Sequence, residues 1–296
     1  MSGPSPSHLI FGEVLFDCFP DGTRVLGGAP FNVAWNLHQL GEAACFVGGV
    51  GDDADGRDIR EHMDRIAMDT RGLYRHPSAP TGQVRIALEN GEPTYTIVPD
   101  QAYDDVPADW AQALPESAAL LYHGTLALRS GNRDLLERLQ ARARRRFVDV
   151  NLRAPWYEPG DVLALMRGAD VVKLNTDEAV TLAPDVVAPE RPAALLERAA
   201  IRSALIITHG ADGAGIHTAD DQHHRAPAPT VDGFRDAVGA GDAFASVAII
   251  GLQHDWPWAT TLERALRFAA AVCTLQGATT DDPAFYHQAT RDWTPA

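Results

Sequence analysis

The residues best able to do chemistry stand late in the chain, in Asp236-Ala-Val-Gly-Ala-Gly-Asp-Ala-Phe244, ahead of an apolar helical stretch from Ala243 to about Leu252. Gly239, Ala240 and Gly241 are small residues at a helix start, where backbone N–H groups have no intrahelical acceptor. An anion can approach such amides closely, and the helix macrodipole favours negative charge there. Asp242 stands beside that position. Its carboxylate repels a phosphate, yet it can take the proton from a hydroxyl that attacks phosphorus. A glycine-rich turn with an aspartate near a helix N-terminus is the plainer alternative.

A second constellation is Gly27-Gly-Ala-Pro-Phe-Asn-Val-Ala34. The glycine pair allows close backbone approach, and Asn32 reads as the opening of a helix over Asn32–Leu40. Its amide offers a donor and an acceptor to sugar hydroxyls, or else caps the helix. Asp17, after the strand that carries Glu13, could accept two adjacent hydroxyls. Three further segments put polar groups after apolar runs: Asn151 and Arg153, then Asn175 and Glu178, then Thr208, Gly210 and Gly213. Any one could be an ordinary strand-to-helix loop. Together they equip the carboxyl ends of parallel strands, where α/β proteins bind ligands, with groups that handle phosphate or Mg²⁺.

Such ends require a parallel sheet, and the apolar runs supply it. His8–Phe11, Val14–Phe16, Ala44–Val50, Ala119–Tyr122, Phe147–Val150, Val171–Leu174 and Leu205–Thr208 read as strands. Amphipathic helices are expected over Arg57–Ile66, Arg133–Arg144, Pro159–Arg167 and Arg191–Ile201. The alternation predicts an α/β fold, a doubly wound, mostly parallel sheet with helices on both faces. Gln83–Glu89 and Thr94–Val98 instead alternate apolar and polar around Asn90-Gly91, an antiparallel hairpin. With a ribbon over Asp17–Val25, centred on Pro20-Asp21-Gly22, it suggests a small antiparallel β lid of about residues 13–30 and 83–100 within one domain spanning 1–296.

The 296 residues carry a formal charge of −15, so neither nucleic acid nor anionic lipid is expected as the main partner. Three cysteines, Cys18, Cys45 and Cys273, are too few and too scattered for a disulfide framework or a clustered zinc site. The opening MSGPSPSH lacks a signal-peptide pattern and no apolar run approaches a membrane span, so the expected location is the cytoplasm. Lys173 is the only lysine, and no Walker-type phosphate loop exists. Gly48-Gly-Val-Gly51 follows a strand, but its spacing is wrong for a dinucleotide fingerprint.

Five motifs, in order, resemble the ribokinase-like (PfkB) carbohydrate kinase family, over almost the full length from Phe11 to about Pro283. They are Gly27-Gly28-x-x-x-Asn32, Val50-Gly51-Asp52-Asp53-x-x-Gly56, Lys173-x-Asn175-x-x-Glu178, Thr208-x-Gly210-x-x-Gly213 and Gly239-Ala240-Gly241-Asp242. The resemblance implies transfer of the γ-phosphate of MgATP to a sugar hydroxyl. It makes Asp242 the base, with the amides of Gly239, Ala240 and Gly241 as the anion hole. Asp17, Gly27, Gly28, Asn32 and Arg153 would hold the sugar. Asn175, Thr208, Gly210 and Gly213 would meet the nucleotide, and Glu178 would organise Mg²⁺, directly or through water. Asp236, with backbone near Val238 and Gly277, would hold K⁺. A homodimer through the β lid is a further expectation.

Two departures from the family pattern stand out. Ala237-Val238 replaces the common threonine pair, and His209 stands between Thr208 and Gly210. The Gly27-Gly-Ala-Pro loop resembles the fructokinase branch, which points to fructose. Asp149-x-Asn151-x-Arg153-x-x-Trp156 occurs also in 2-keto-3-deoxygluconate kinases, the alternative within the family. A sugar-binding regulator without catalysis would have lost the base, and Asp242 is present. Elsewhere the sequence reads as structural. His217, His223 and His224 form a solvated hairpin tip, Arg142–Arg146 closes a helix, Asp52–Gly56 starts one, and Trp256 and Trp258 pack.

Overall fold

Strands apolar on both faces need cover on both faces, and the computed structural model, which describes residues 8–89 and 92–293, gathers them into one nine-stranded sheet between helical layers. The first third of the chain forms β1 (His8–Phe11), β2 (Leu15–Cys18), β3 (Arg24–Gly27), α1 (Ala29–Gln39), β4 (Ala44–Gly51), α2 (Ala54–Arg65) and β5 (Leu73–His76). Then come β6 (Gly82–Glu89), β7 (Glu92–Ile97), β8 (Ala118–His123), α3 (Arg133–Gln140), β9 (Ala143–Asp149), α4 (Pro159–Met166) and β10 (Val171–Asn175). The remainder is α5 (Thr176–Leu182), α6 (Arg191–Arg198), β11 (Ala204–Thr208), β12 (Ala214–Thr218), β13 (His223–Ala226), α7 (Ala240–Gln253), α8 (Trp258–Val272) and α9 (Pro283–Thr290).

The large sheet runs β13-β12-β11-β10-β9-β8-β1-β4-β5, parallel except where β12 pairs with β11 and β13. The chain leaves β1 toward β4 and β5, then returns to β8 and winds outward on the other side. That reversal opens a crevice at the carboxyl ends of β1 and β8. Alternate residues face opposite layers. Ile10, Phe46 and Tyr122 pack with Phe31 of α1, Phe244 of α7 and Phe268 of α8. Leu9, Phe11 and Leu121 pack with Leu135 and Leu139 of α3, while Val148, Val172 and Leu205 meet the layer of α4, α5 and α6.

A second, four-stranded sheet has the order β3-β2-β6-β7 and is antiparallel except at its centre, where β2 and β6 run parallel. The Asn90-Gly91 turn expected between β6 and β7 lies outside the described residues. The Gly51–Gly56 motif is the joint between the sheets. Asp53 caps α2 by accepting from the Gly56 amide (2.7 Å) and also accepts from the Thr81 amide (2.8 Å) and hydroxyl (2.6 Å), just ahead of β6. Asp55, in the first turn of α2, pairs with Arg24 of β3 and accepts from Gln83 of β6 (3.1 Å). The acidic run thus starts a helix and holds the small sheet.

Several element boundaries differ from expectation, among them the start of α2, at Ala54 rather than Arg57. The helix expected to end through Arg142–Arg146 stops at Gln140, and those arginines belong mostly to β9. Arg145 and Arg146 stand opposite Leu120 and Leu121, and Arg142 donates to the carbonyls of Ala111, Leu114 and Pro115 at 2.6–3.1 Å. Arginine stems can line a strand while their heads find acceptors outside it. Asn32 does not open its helix. Gly28 caps α1, and Pro30 occupies the first turn, where its fixed φ suits a helix start. The apolar helix expected from Ala243 begins at Ala240.

Candidate active site

Two helix starts meet at the crevice, and each depends on a glycine. Gly28 has φ +108°, and a Cβ there would lie 2.6 Å from the Glu13 carbonyl oxygen. Gly239 has φ +78°, and a Cβ would fall 2.5 Å from Cα of Ala278. Only glycine allows both the conformation and the approach. The first turn of α1 carries Asn32 to the first turn of α7, where Asn32 Nδ2 donates to Asp242 Oδ2 at 2.8 Å. The Ala240 amide donates to the Ala237 carbonyl (3.2 Å), whereas those of Gly241 and Asp242 face out of the helix start without an intrahelical acceptor.

Between these starts and the small sheet lies a cavity of about 580 Å³. Asp17, Gly27, Gly28, Asn32 and Arg153 line it, together with Gly239, Gly241 and Asp242 of the α7 start. Val84, Tyr95 and Ile97 of the small sheet border it on the other side. Enclosure changes the acids. Burial pushes Asp242 up to about 6, with the Asn32 hydrogen bond opposing and the Asp149 charge adding. Burial also raises Asp17, against the pull of Arg153. Glu13, only 4% exposed, is pushed up to about 7 by burial, and its Oε2 has no hydrogen-bond partner. Glu13 was visible in the sequence only as a strand residue, and its burial here is the structure's addition.

Asn175, Glu178, Thr208, Gly210 and Gly213 lie outside this cavity, at or just after the level ends of β10 and β11, where Asn175 is opposite Thr208. Asn175 is exposed and caps α5, accepting from the Glu178 amide at 2.9 Å. Glu178 returns the bond to the Asn175 amide (2.8 Å) and accepts from the Leu152 amide (2.7 Å). Burial raises its carboxyl above the usual range. Both oxygens are therefore engaged by backbone, a donor set that suits a hydrated Mg²⁺ held chiefly by phosphates better than direct ligation. Thr208 is half-buried, Gly210 exposed, and Gly213 passes so near β13 that a Cβ would meet the Ala226 carbonyl at 2.1 Å. His209 bonds Thr176 Oγ1 at 2.8 Å, tying this loop to α5. Asp236 accepts from the Val238 amide (3.0 Å), and Val238 reaches the cavity wall.

One pair stands in the quoted motifs, Lys173 before Asn175 and Asp149 before Asn151, without an expected role. Lys173 Nζ lies 2.9 Å from both carboxylate oxygens of Asp149, across the β9–β10 register, and the Tyr122 hydroxyl reaches the same carboxylate at 3.3 Å. The one lysine of an acidic chain was the available signal. Among the described residues, no group of three or more His, Cys, Asp or Glu side chains forms a metal cluster, and no helix is long and apolar enough to cross a membrane. A proton acceptor, free helix-start amides and a partly enclosed cavity beside an open ledge form an arrangement suited to phosphoryl transfer.

Comparisons with known proteins agree in kind. The sequence matches the pfkB family carbohydrate kinases over residues 11–284. It is 30% identical over 304 residues to a fructokinase of Klebsiella pneumoniae, covering 93% of this chain and 95% of that one. The fold superposes on the fructokinase of Xylella fastidiosa with bound ATP at a TM-score of 0.82, with 23% identity over 97% of this chain and 99% of that one. It also superposes on a double mutant of the Vibrio cholerae fructokinase in its fructose, ADP and potassium ion bound form. There the TM-score is 0.78 and the identity 25%, over 96% and 99% of the two chains.

Proposed function

The chain belongs to the pfkB family of carbohydrate kinases, and from that premise we propose that it phosphorylates fructose, giving fructose 6-phosphate, with MgATP as donor. The observation that carries the reading is Asp242, held by Asn32 beside free helix-start amides at the wall of the cavity under the small sheet. The acceptor hydroxyl, oriented by Asp17, Asn32 and the Gly27-Gly28 backbone, gives its proton to Asp242 as its oxygen bonds to the γ-phosphorus. The amides at the start of α7 stabilise charge on the transferred group. The small sheet acts as a lid, excluding water that would otherwise compete as acceptor.

Asn175, Thr208, Gly210 and Gly213 form the nucleotide ledge. Glu178 would hold Mg²⁺ through water, and the bound ion would neutralise charge on the phosphates. Asp236, with the backbone near Val238 and Gly277, is the proposed K⁺ position, an assignment supported by the potassium-bound relative. Within this reading a second copy docks on the exposed face of the small sheet, a homodimer that sedimentation would test.

Three acids, Glu13, Asp17 and Asp242, line the cavity against one arginine, and this balance favours an uncharged sugar over a sugar acid. Arg153 is the observation that supports the second reading, 2-keto-3-deoxygluconate. Coupled ADP release with fructose, the keto-acid, ribose, glucose and fructose 6-phosphate separates the two. Turnover on fructose alone is expected. Preference for the keto-acid would make Arg153 a carboxylate clamp, and turnover on none would overturn the fructose assignment.

A further inference from the structure

The Asp149–Lys173 pair lies beneath the proposed anion hole. Lys173 has a side chain 8% exposed, and two of its N–H donors are satisfied by the two oxygens of Asp149. Position 241 faces open space: were a Cβ present there, Lys173 Nζ, 3.5 Å away, would be its one neighbour beyond the local backbone within 4 Å. A bare glycine thus leaves no side chain between Lys173 Nζ and the open space at the start of α7, and the ammonium has a third N–H beyond the two that Asp149 accepts.

We propose that Lys173, clamped by Asp149, is a further charged group of the transfer site, supplying a fixed cation to the phosphoryl group across Gly241. The inference rests on the kinase reading above and deepens it. In the step it serves, the acceptor oxygen bonds to the γ-phosphorus and the bond to the bridging oxygen breaks, leaving ADP. The hydroxyl proton passes to Asp242, and Lys173 keeps its own protons. Burial is the largest single influence and works against the ammonium, but the Asp149 charge and hydrogen bonds, with the charges of Asp242 and Glu178, together outweigh it and hold Lys173 above the ordinary lysine range.

The pair also acts on the base. Asp242 faces Asn32 from α1, Glu13 after β1, Tyr122 from β8, Asp149 and Arg153 at the end of β9, and Lys173 from β10. Lys173 and Arg153 lower its pKa and Asp149 raises it, so removing the lysine alone leaves two carboxylates facing one another.

A buried ion pair also has structural weight, and replacing it whole by apolar residues is often neutral for stability. The test is therefore the double variant Lys173→Met/Asp149→Leu, with Lys173→Met and Asp242→Asn in parallel. Each is followed by thermal melting, fructose KM and kcat, and the pH profile of kcat/KM. The double variant is expected to melt near the wild type and to keep its fructose KM. Its kcat should fall about 10²-fold, the scale seen when one donor to a transition-state anion is lost. Where Lys173→Met folds, the acidic limb of its profile should move upward. A folded double variant with kcat within about twofold of wild type would sink the assignment, because loss of a single anion donor costs far more than that. Should Asp242→Asn itself keep wild-type kcat, the kinase mechanism fails first, so the two failures are distinguishable.

Discussion

The proposed acceptor side and the proposed nucleotide ledge are made from the same element, the carboxyl ends of parallel strands, but they end in different surroundings. Around Asp242 a second sheet closes the crevice, and Glu13, Asp17 and Asp242 all titrate high because burial disfavours their charge. Among the described residues, no second sheet covers the ends of β10 and β11. Asn175 and Gly210 face solvent, and the polar groups of Asn175 and Glu178 bond backbone amides. A strand end supplies position, while enclosure tunes acidity. The acceptor side is therefore expected to carry the chemistry and its pH dependence, and the ledge to contribute binding that tolerates substitution.

The comparison breaks most directly at Asp242. Asp242→Asn should lower kcat by about 10² or more while nucleotide affinity, measured by calorimetry, stays near wild type. An equal loss of nucleotide affinity would erase the division between the sides. Gly28→Ala comes next, since its Cβ meets the Glu13 carbonyl and its φ strains any other residue. A rise in sugar KM of about 10-fold, with ATP KM unchanged, is expected from 1–3 kcal/mol of local strain.

Enclosure has a pH signature. With Asp242 near 6 and required as a base, kcat/KM should fall tenfold per unit below about pH 6 and level above it. A limb near pH 4 would mean the carboxylate is solvated. Glu13 sharpens the same point through stability. Its pKa is raised from 4.5 to about 7 in the fold, so its stabilising contribution is full below about pH 4.5 and lost as pH rises through 7. Glu13→Gln should therefore gain on the wild type between pH 5 and 8 in chemical denaturation, by up to about 3 kcal/mol. A difference that does not vary with pH would contradict the burial argument. The smallest effect belongs to the ledge. Asn175→Ala should cost about 1 kcal/mol through the lost cap and raise ATP KM only about threefold.

Much of this was legible in the residues. Strand after apolar strand is legible because parallel strands buried on both faces leave a continuous apolar run, and the small residues from Gly239 mark a helix start, whereas the start of α1 lies at Gly28 and not at Asn32 as expected. Boundaries carrying arginine were misread. Arg142–Arg146 has the charge of a helix end, and only the acceptors that the folded chain brings near reveal a strand. The acidic run at 52–56 was correctly read as a helix start, but its grip on Thr81 joins segments 28 residues apart and leaves no local pattern.

By itself the sequence determined the alternation of strands and helices, the family motifs in their order, and the small residues that let backbone and anion approach, because these follow from periodicity and from local conformational limits. The tertiary structure decided which of those residues meet. Asn32 and Asp242, 210 positions apart, touch only because α1 and α7 start at the same crevice. Lys173 meets Asp149 only because β9 and β10 are neighbours in register. Glu13 becomes a weak acid only where the small sheet and α1 exclude water. Contact and desolvation are properties of the packed chain, so the acidity on which the proposed chemistry depends is set by the fold.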